Sequence, residues 1–145
     1  MMHISFAVFA DAANLSQEGK LNILGVFDAV QVAGLPTIHP RTHFVVRLKA
    51  DGDDIGAHKL LFRWLSPFDE ELWSSSGEMS VAPAPNPVFE LDLPIIAVVD
   101  LPFNVVGQYT MQVTLDGEPT ASARLFVSGP TQPPMVTGTP NGMVS

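Results

Sequence analysis

Apolar and polar residues alternate most cleanly between Gly107 and Val127. Tyr109, Met111, Val113 and Leu115 interleave with Thr110, Gln112, Thr114 and Asp116, the period-two pattern of a strand with one buried and one wet face. Asp116-Gly117 reaches positive φ cheaply, so the chain can double back. Ala121, Ala123, Leu125 and Val127 then share one face of a returning strand, opposite Ser122, Arg124 and Phe126. Gly107-Gln108-Tyr109 has the form of the corner in immunoglobulin-like sandwiches, where a tyrosine near a strand start bonds back to upstream backbone; a plain buried strand tyrosine is the alternative.

The same pattern, less cleanly, predicts strands over His3 to Asp11 and Lys20 to Val32. Gly25 inside the second apolar run marks a bulge or a close backbone approach. Gly34 to Pro40 reads as a connection because of its two prolines. Thr42 to Ala50 places Phe44, Val46 and Leu48 inward and Val45, Arg47 and Lys49 outward. Asp51 to Gly56 is a turn, and His58 to Leu65 sets His58, Leu60, Phe62 and Trp64 against Lys59, Leu61, Arg63 and Leu65. Ser66 to Glu71 forms a hairpin tip before Leu72 to Val81, and Pro83, Pro85 and Pro87 force a ladder-free link. Val88 to Asp92 and Ile95 to Leu101 flank Pro94, which fits an edge strand or a strand that changes sheet. Roughly eight short strands and no long helix predict an all-β, antiparallel two-sheet β-sandwich of immunoglobulin-like type.

Several of these segments also resemble a family of small uncharacterised bacterial proteins known only as a domain of unknown function. They are Asp11-Ala12-Ala13; the run from Gly19-Lys20-Leu21 to Gly25-Val26-Phe27-Asp28; Pro36 and His39-Pro40; Pro102-Phe103; and Gly107-Gln108-Tyr109 ahead of Leu115-Asp116-Gly117. The resemblance covers most of the chain except its end. It implies an all-β domain and brings no catalytic residues.

Composition sharpens the picture at three points. At 145 residues the chain can bury a sizeable core without staples, and the absence of cysteine excludes disulfides and thiolate metal sites. Fifteen acids against seven scattered bases leave a net charge of −8, which disfavours nucleic acid as a partner. Charged residues make up only 15%, which points to surface covered by a partner. No apolar run approaches the roughly 20 residues that span a bilayer. The opening MMHISFAVFADAA lacks a base ahead of its apolar run and alternates like a strand, so no export signal is expected. A cytoplasmic or virion-associated location follows.

Residues 1–128 read as the sandwich domain and 129–145 as an uncharged tail or arm rich in Pro and Gly. The tail is either disordered or held by a neighbour, with Met135, Val136, Met143 and Val144 as pegs. Among candidate sites, His39 and His43 have a spacing found in zinc sites but no third ligand, and read better as solvated turn histidines. Asp51, Asp53 and Asp54 lack the calcium-loop pattern, and Asp69 to Glu71 form a charged tip. Asp28, Asp92 and Asp100 lie beside apolar runs, where paired carboxylates could act as acid and base. Trp64, Phe68 and Trp73 could stack a sugar, although Trp64 shares the inward face with Phe62. No catalytic or phosphate-binding motif is present, and no cofactor or metal is called for. The expectation is a non-enzymatic interaction module of a multi-subunit assembly, in particular an accessory protein of a phage or bacterial shell. Its partners would be protein subunits, touched by Leu61, Leu65, Phe126 and the tail residues. A carbohydrate- or calcium-binding module and a carboxylate hydrolase are the alternatives.

Overall fold

The computed structural model describes residues 2–83 and 90–130. Within them the chain forms nine strands and one short 3₁₀ turn: β1 (His3–Leu15), β2 (Leu21–Phe27), β3 (Ala29–Gln31), β4 (Thr37–Ala50), the turn at Gly52–Asp54, β5 (Gly56–Leu65), β6 (Glu71–Val81), β7 (Leu91–Phe103), β8 (Gly107–Leu115) and β9 (Glu118–Ser128). They make two sheets, one of four strands in the order β2-β1-β4-β7 and one of five in the order β3-β9-β8-β5-β6. Every pairing is antiparallel except β3 with β9, which is parallel.

The inner faces meet in an aromatic core. Trp64 stacks on Tyr109 at 5.3 Å between ring centroids, and Phe103 packs on Tyr109 at 5.2 Å. Phe9, Phe44 and Phe62 extend the cluster from the facing sheet and from β5. Burial of these rings is the main stabilising contribution, with Trp64 stacked on Tyr109 and Phe44 edge-on to Phe62 in favoured geometries. The Tyr109 hydroxyl accepts hydrogen bonds from the backbone N–H of Asn104 and Val105 at 2.9 and 3.0 Å, and donates to the Val105 carbonyl at 2.7 Å. This is the tyrosine corner that Gly107-Gln108-Tyr109 suggested, and it closes the β7–β8 connection. With Trp64 on β5 and the corner at the start of β8, the arrangement is consistent with an immunoglobulin-like sandwich in which β1 is an added strand between β2 and β4.

Four local expectations need correction. Lys20 to Val32 is two strands in different sheets, broken at Asp28, whose carbonyl accepts from Phe126 N–H as the chain crosses over to β9. Gly25, with φ +70°, lies where a Cβ would fall 2.4 Å from Asp11 Oδ2, so the close approach read from sequence is present. Thr37 to Pro40 belongs to β4 and is not a connection. Its proline is tolerated because the register shifts between His39 and Thr42, and Asp100 Oδ1 accepts from the N–H of Arg41, which sits at φ 55°. Pro94 does lie on an edge strand, but β7 runs through it without a break. Val45, expected outward, does point outward yet is fully buried, with Val8 and Ile96 as its register partners on the flanking strands.

Candidate functional site

Val45 leads to the most distinctive surface of the molecule. The strands of the four-stranded sheet carry near-continuous apolar runs: Phe6 to Ala10, Phe44 to Val46, and Ile95 to Val99. One side of each run enters the core, through Phe9, Phe44, Val46, Ile95 and Ala97. The register places the other side in rows across the outer face: Val26, Ala10, His43 and Val98; then Val8, Val45 and Ile96; then Phe6, Arg47 and Pro94. Leu24, Val26 and Val98 are 70%, 59% and 57% exposed, although nothing but solvent faces them among the described residues. Strands apolar on both sides belong to sheets covered on both sides. The outer face of the five-stranded sheet differs, with Lys59, Arg63, Ser74, Ser76, Thr110, Gln112, Ser122 and Arg124 across its rows. That face is more polar, although Leu61, Leu65 and Phe126 also lie on it.

Charged groups stand at both ends of the face, with Asp100 beyond Val98 at one and Arg47, Lys49 and Asp92 at the other. Arg47 donates to both carboxylate oxygens of Asp92, at 2.9 and 2.8 Å, and Lys49 Nζ lies 3.5 Å from Asp92. The Arg47 guanidinium, with help from Lys49, holds the Asp92 carboxyl below its ordinary range. In the middle of the face, the Nδ1 of His43 is buried with no hydrogen-bond partner among the described residues.

The anticipated residues fall elsewhere. Leu61 and Leu65 are half-buried and Phe126 is 56% exposed, all on the outer face of the five-stranded sheet, where Arg63, Gln112 and Arg124 separate them. Met135, Val136, Met143 and Val144 lie outside the described residues. His39 and His43 share β4 and are not solvated turn residues. The His39 ring packs between Phe27 and Phe103 with Nδ1 2.7 Å from Thr42 Oγ1, whereas His43 faces outward, so the two do not converge. Asp51 and Asp54 turn back on their own loop in a capping box: Asp51 accepts from Asp53 N–H and Asp54 from Asp51 N–H, both at 2.9 Å. Among the described residues no three His, Asp or Glu side chains are placed to hold a metal. Trp64 is a core residue. Trp73 is half-buried and donates to the Asp100 carbonyl, and Phe68 is exposed at the hairpin tip.

Asp28, Asp92 and Asp100 are spread over the start of β3 and the two ends of β7, with Asp92 and Asp100 tied to Arg47 and Arg41 N–H. Two carboxylates do share a cleft, of about 410 Å³, at the other end of the sandwich: Glu78 and Asp116, beside His58 and Lys59. The carboxylate of Asp116 accepts from His58 at 2.6 Å and from Lys59 N–H at 2.9 Å, and the His58 hydrogen bond draws its pKa down. A general acid needs the opposite shift.

A two-sheet β-sandwich with a tyrosine corner, one more polar outer face and one bare apolar sheet face is therefore the class of protein that the fold and surface define. The chain belongs to a family of unknown function, DUF6941, whose model matches residues 5–128. No curated protein matches it. Among the described residues, no helix is long and apolar enough to cross a membrane.

The bare face was not anticipated from sequence because attention to alternation hides it. The available signal was its failure: Ile23 to Phe27, Phe44 to Val46 and Ile95 to Val99 are apolar at successive positions, not alternate ones.

Proposed function

We propose that this chain is a non-catalytic interaction module of a multi-subunit assembly, docking through the outer face of its four-stranded sheet onto a second copy packed sheet against sheet. The observation that supports the reading is the set of apolar side chains on that face, the exposed Leu24, Val26 and Val98 with the half-buried Val8 and Ile96. Leu24 and Val26 on β2 and Val98 on β7 are exposed at the two edges of that face, the kind of apolar surface that marks interaction sites. A flat apolar face is complementary to itself, and sheets of this kind pack about 10 Å apart. The narrower reading, an accessory subunit of a phage or bacterial shell, draws on the recurrence of such sandwiches in those assemblies and is an analogy of fold.

Light scattering on the size-exclusion peak of the full chain tests the proposal. The wild type should run as a dimer or larger, and Val98→Lys and Val26→Lys should run as folded monomers. A wild-type monomer at about 100 μM would sink the self-association reading, as would lysine variants that assemble like the wild type. Calcium or a glycan raising the wild-type Tm by the equivalent of about 1 kcal/mol would instead favour a ligand-binding module.

A further inference from the structure

His58 stands at the end of the sandwich where the β4–β5 turn meets the β8–β9 hairpin. Its Nδ1 is 2.6 Å from a carboxylate oxygen of Asp116 and its Nε2 is 2.5 Å from the backbone carbonyl of Asp54. Both partners are acceptors. A carbonyl has no hydrogen to give, and the other oxygen of Asp116 is committed to Lys59 N–H. A neutral imidazole carries one N–H and can satisfy one of the two; only the imidazolium satisfies both. The side chain is 14% exposed, so water is poorly placed to substitute. The carboxylates of Asp116 and Asp54 favour the cation as well, and Glu78 on β6 and Lys59 line the same cleft.

We propose that His58 is a proton-operated latch: as the imidazolium it ties the β4–β5 turn to the β8–β9 hairpin, and loss of one proton releases the turn. The carboxylate is the stronger acceptor, so the remaining proton stays on Nδ1 toward Asp116. The lone pair of Nε2 then faces the lone pairs of the Asp54 carbonyl, and that contact opens. The hydrogen bond to Asp116, followed by that to Asp54, raises the pKa of His58. The latch therefore stays shut beyond the pH at which an ordinary histidine loses its proton, and opens on the alkaline side of that point. Loops gathered at one end of such sandwiches are where binding variation is carried in immunoglobulin-like domains, so the latch sets the shape of that end. It does not depend on the docking face, which lies on a different surface.

NMR on the full chain tests this through the His58 ring resonances and amide hydrogen exchange. The imidazole should titrate above the ordinary histidine value of about 6.5. Protection at Asp53 and Asp54 should fall through the same midpoint, while Met111 and Val113 in the core keep theirs. Asp116→Asn should lower the midpoint, and His58→Gln should remove the pH step in the turn. A midpoint at or below the ordinary value would overturn the latch, as would turn amides that do not respond. Core amides losing protection together with the turn would also overturn it, because that reports global unfolding. If either variant fails to fold, the wild-type titration and exchange decide alone.

Discussion

Replacing Tyr109 with Phe removes one oxygen and keeps the ring, which isolates the corner from the core. The hydroxyl accepts from two backbone N–H groups and donates once, so three hydrogen bonds disappear. At a net 0.5 to 1.5 kcal/mol each, the loss lies between about 1.5 and 4.5 kcal/mol. Asn104 is exposed and Val105 half-buried, so water can reach some of the freed groups and pulls the figure down. We expect about 2–3 kcal/mol, or a drop in Tm of roughly 6–12 °C for a chain of this size. Urea unfolding followed by tryptophan fluorescence reads it, because Trp64 stacks directly on the Tyr109 ring. The midpoint should fall while the slope against denaturant stays unchanged. Asn104→Ala, which removes an exposed side-chain amide whose oxygen lies 3.0 Å from the hydroxyl, should cost less than about 0.5 kcal/mol. A Tyr109→Phe protein within 0.5 kcal/mol of wild type would refute the idea that the hydroxyl holds the corner.

The remaining expectations concern the backbone, the apolar face and pH. Gly107→Ala should destabilise by about 2–4 kcal/mol in the same assay, because φ is +139° and the new Cβ would lie 2.8 Å from the rigid ring of Pro67. Val26→Lys and Val98→Lys should each leave the unfolding free energy of the monomer within about 0.5 kcal/mol, since both side chains are mostly exposed; a large loss would mean that the face is core. The pH dependence has two limbs. The folded pKa of His58 is raised, so its contribution is complete below its unfolded value of about 6.5 and lost as pH rises through the folded one. Asp92 and Asp116 are lowered, by Arg47 and by His58 respectively, so their contributions hold above about 3.9 and vanish as pH falls through the folded values. Scanning calorimetry should show Tm falling on both sides of a plateau between these ranges, and a Tm that keeps rising from pH 6 to 9 would contradict the assignment of His58.

Local pattern was enough for much of the architecture. The β8–β9 hairpin was legible because alternation, turn chemistry and tyrosine spacing agree over one short stretch, and Asp116 and Gly117 take the positive φ values of 52° and 86° that such a turn requires. Trp64 as core, Pro94 on an edge and Gly25 at a close approach follow from the size, shape or missing donor of single residues. Tertiary structure decided what depends on partners distant in sequence. The run from Lys20 to Val32 splits because Asp28 meets Phe126, almost a hundred residues away, and no local signal encodes which sheet edge is vacant. Pro40 sits inside a strand because Asp100 receives the N–H that the bulge exposes. His58 holds two acceptors only because the Asp54 turn and the Asp116 hairpin converge on it. The apolar face combines both levels. Its residues are visible in the sequence as runs that fail to alternate, but only the register of β2, β1, β4 and β7 aligns those runs into one surface, since a side chain's neighbours across a sheet are set by pairing and not by order along the chain.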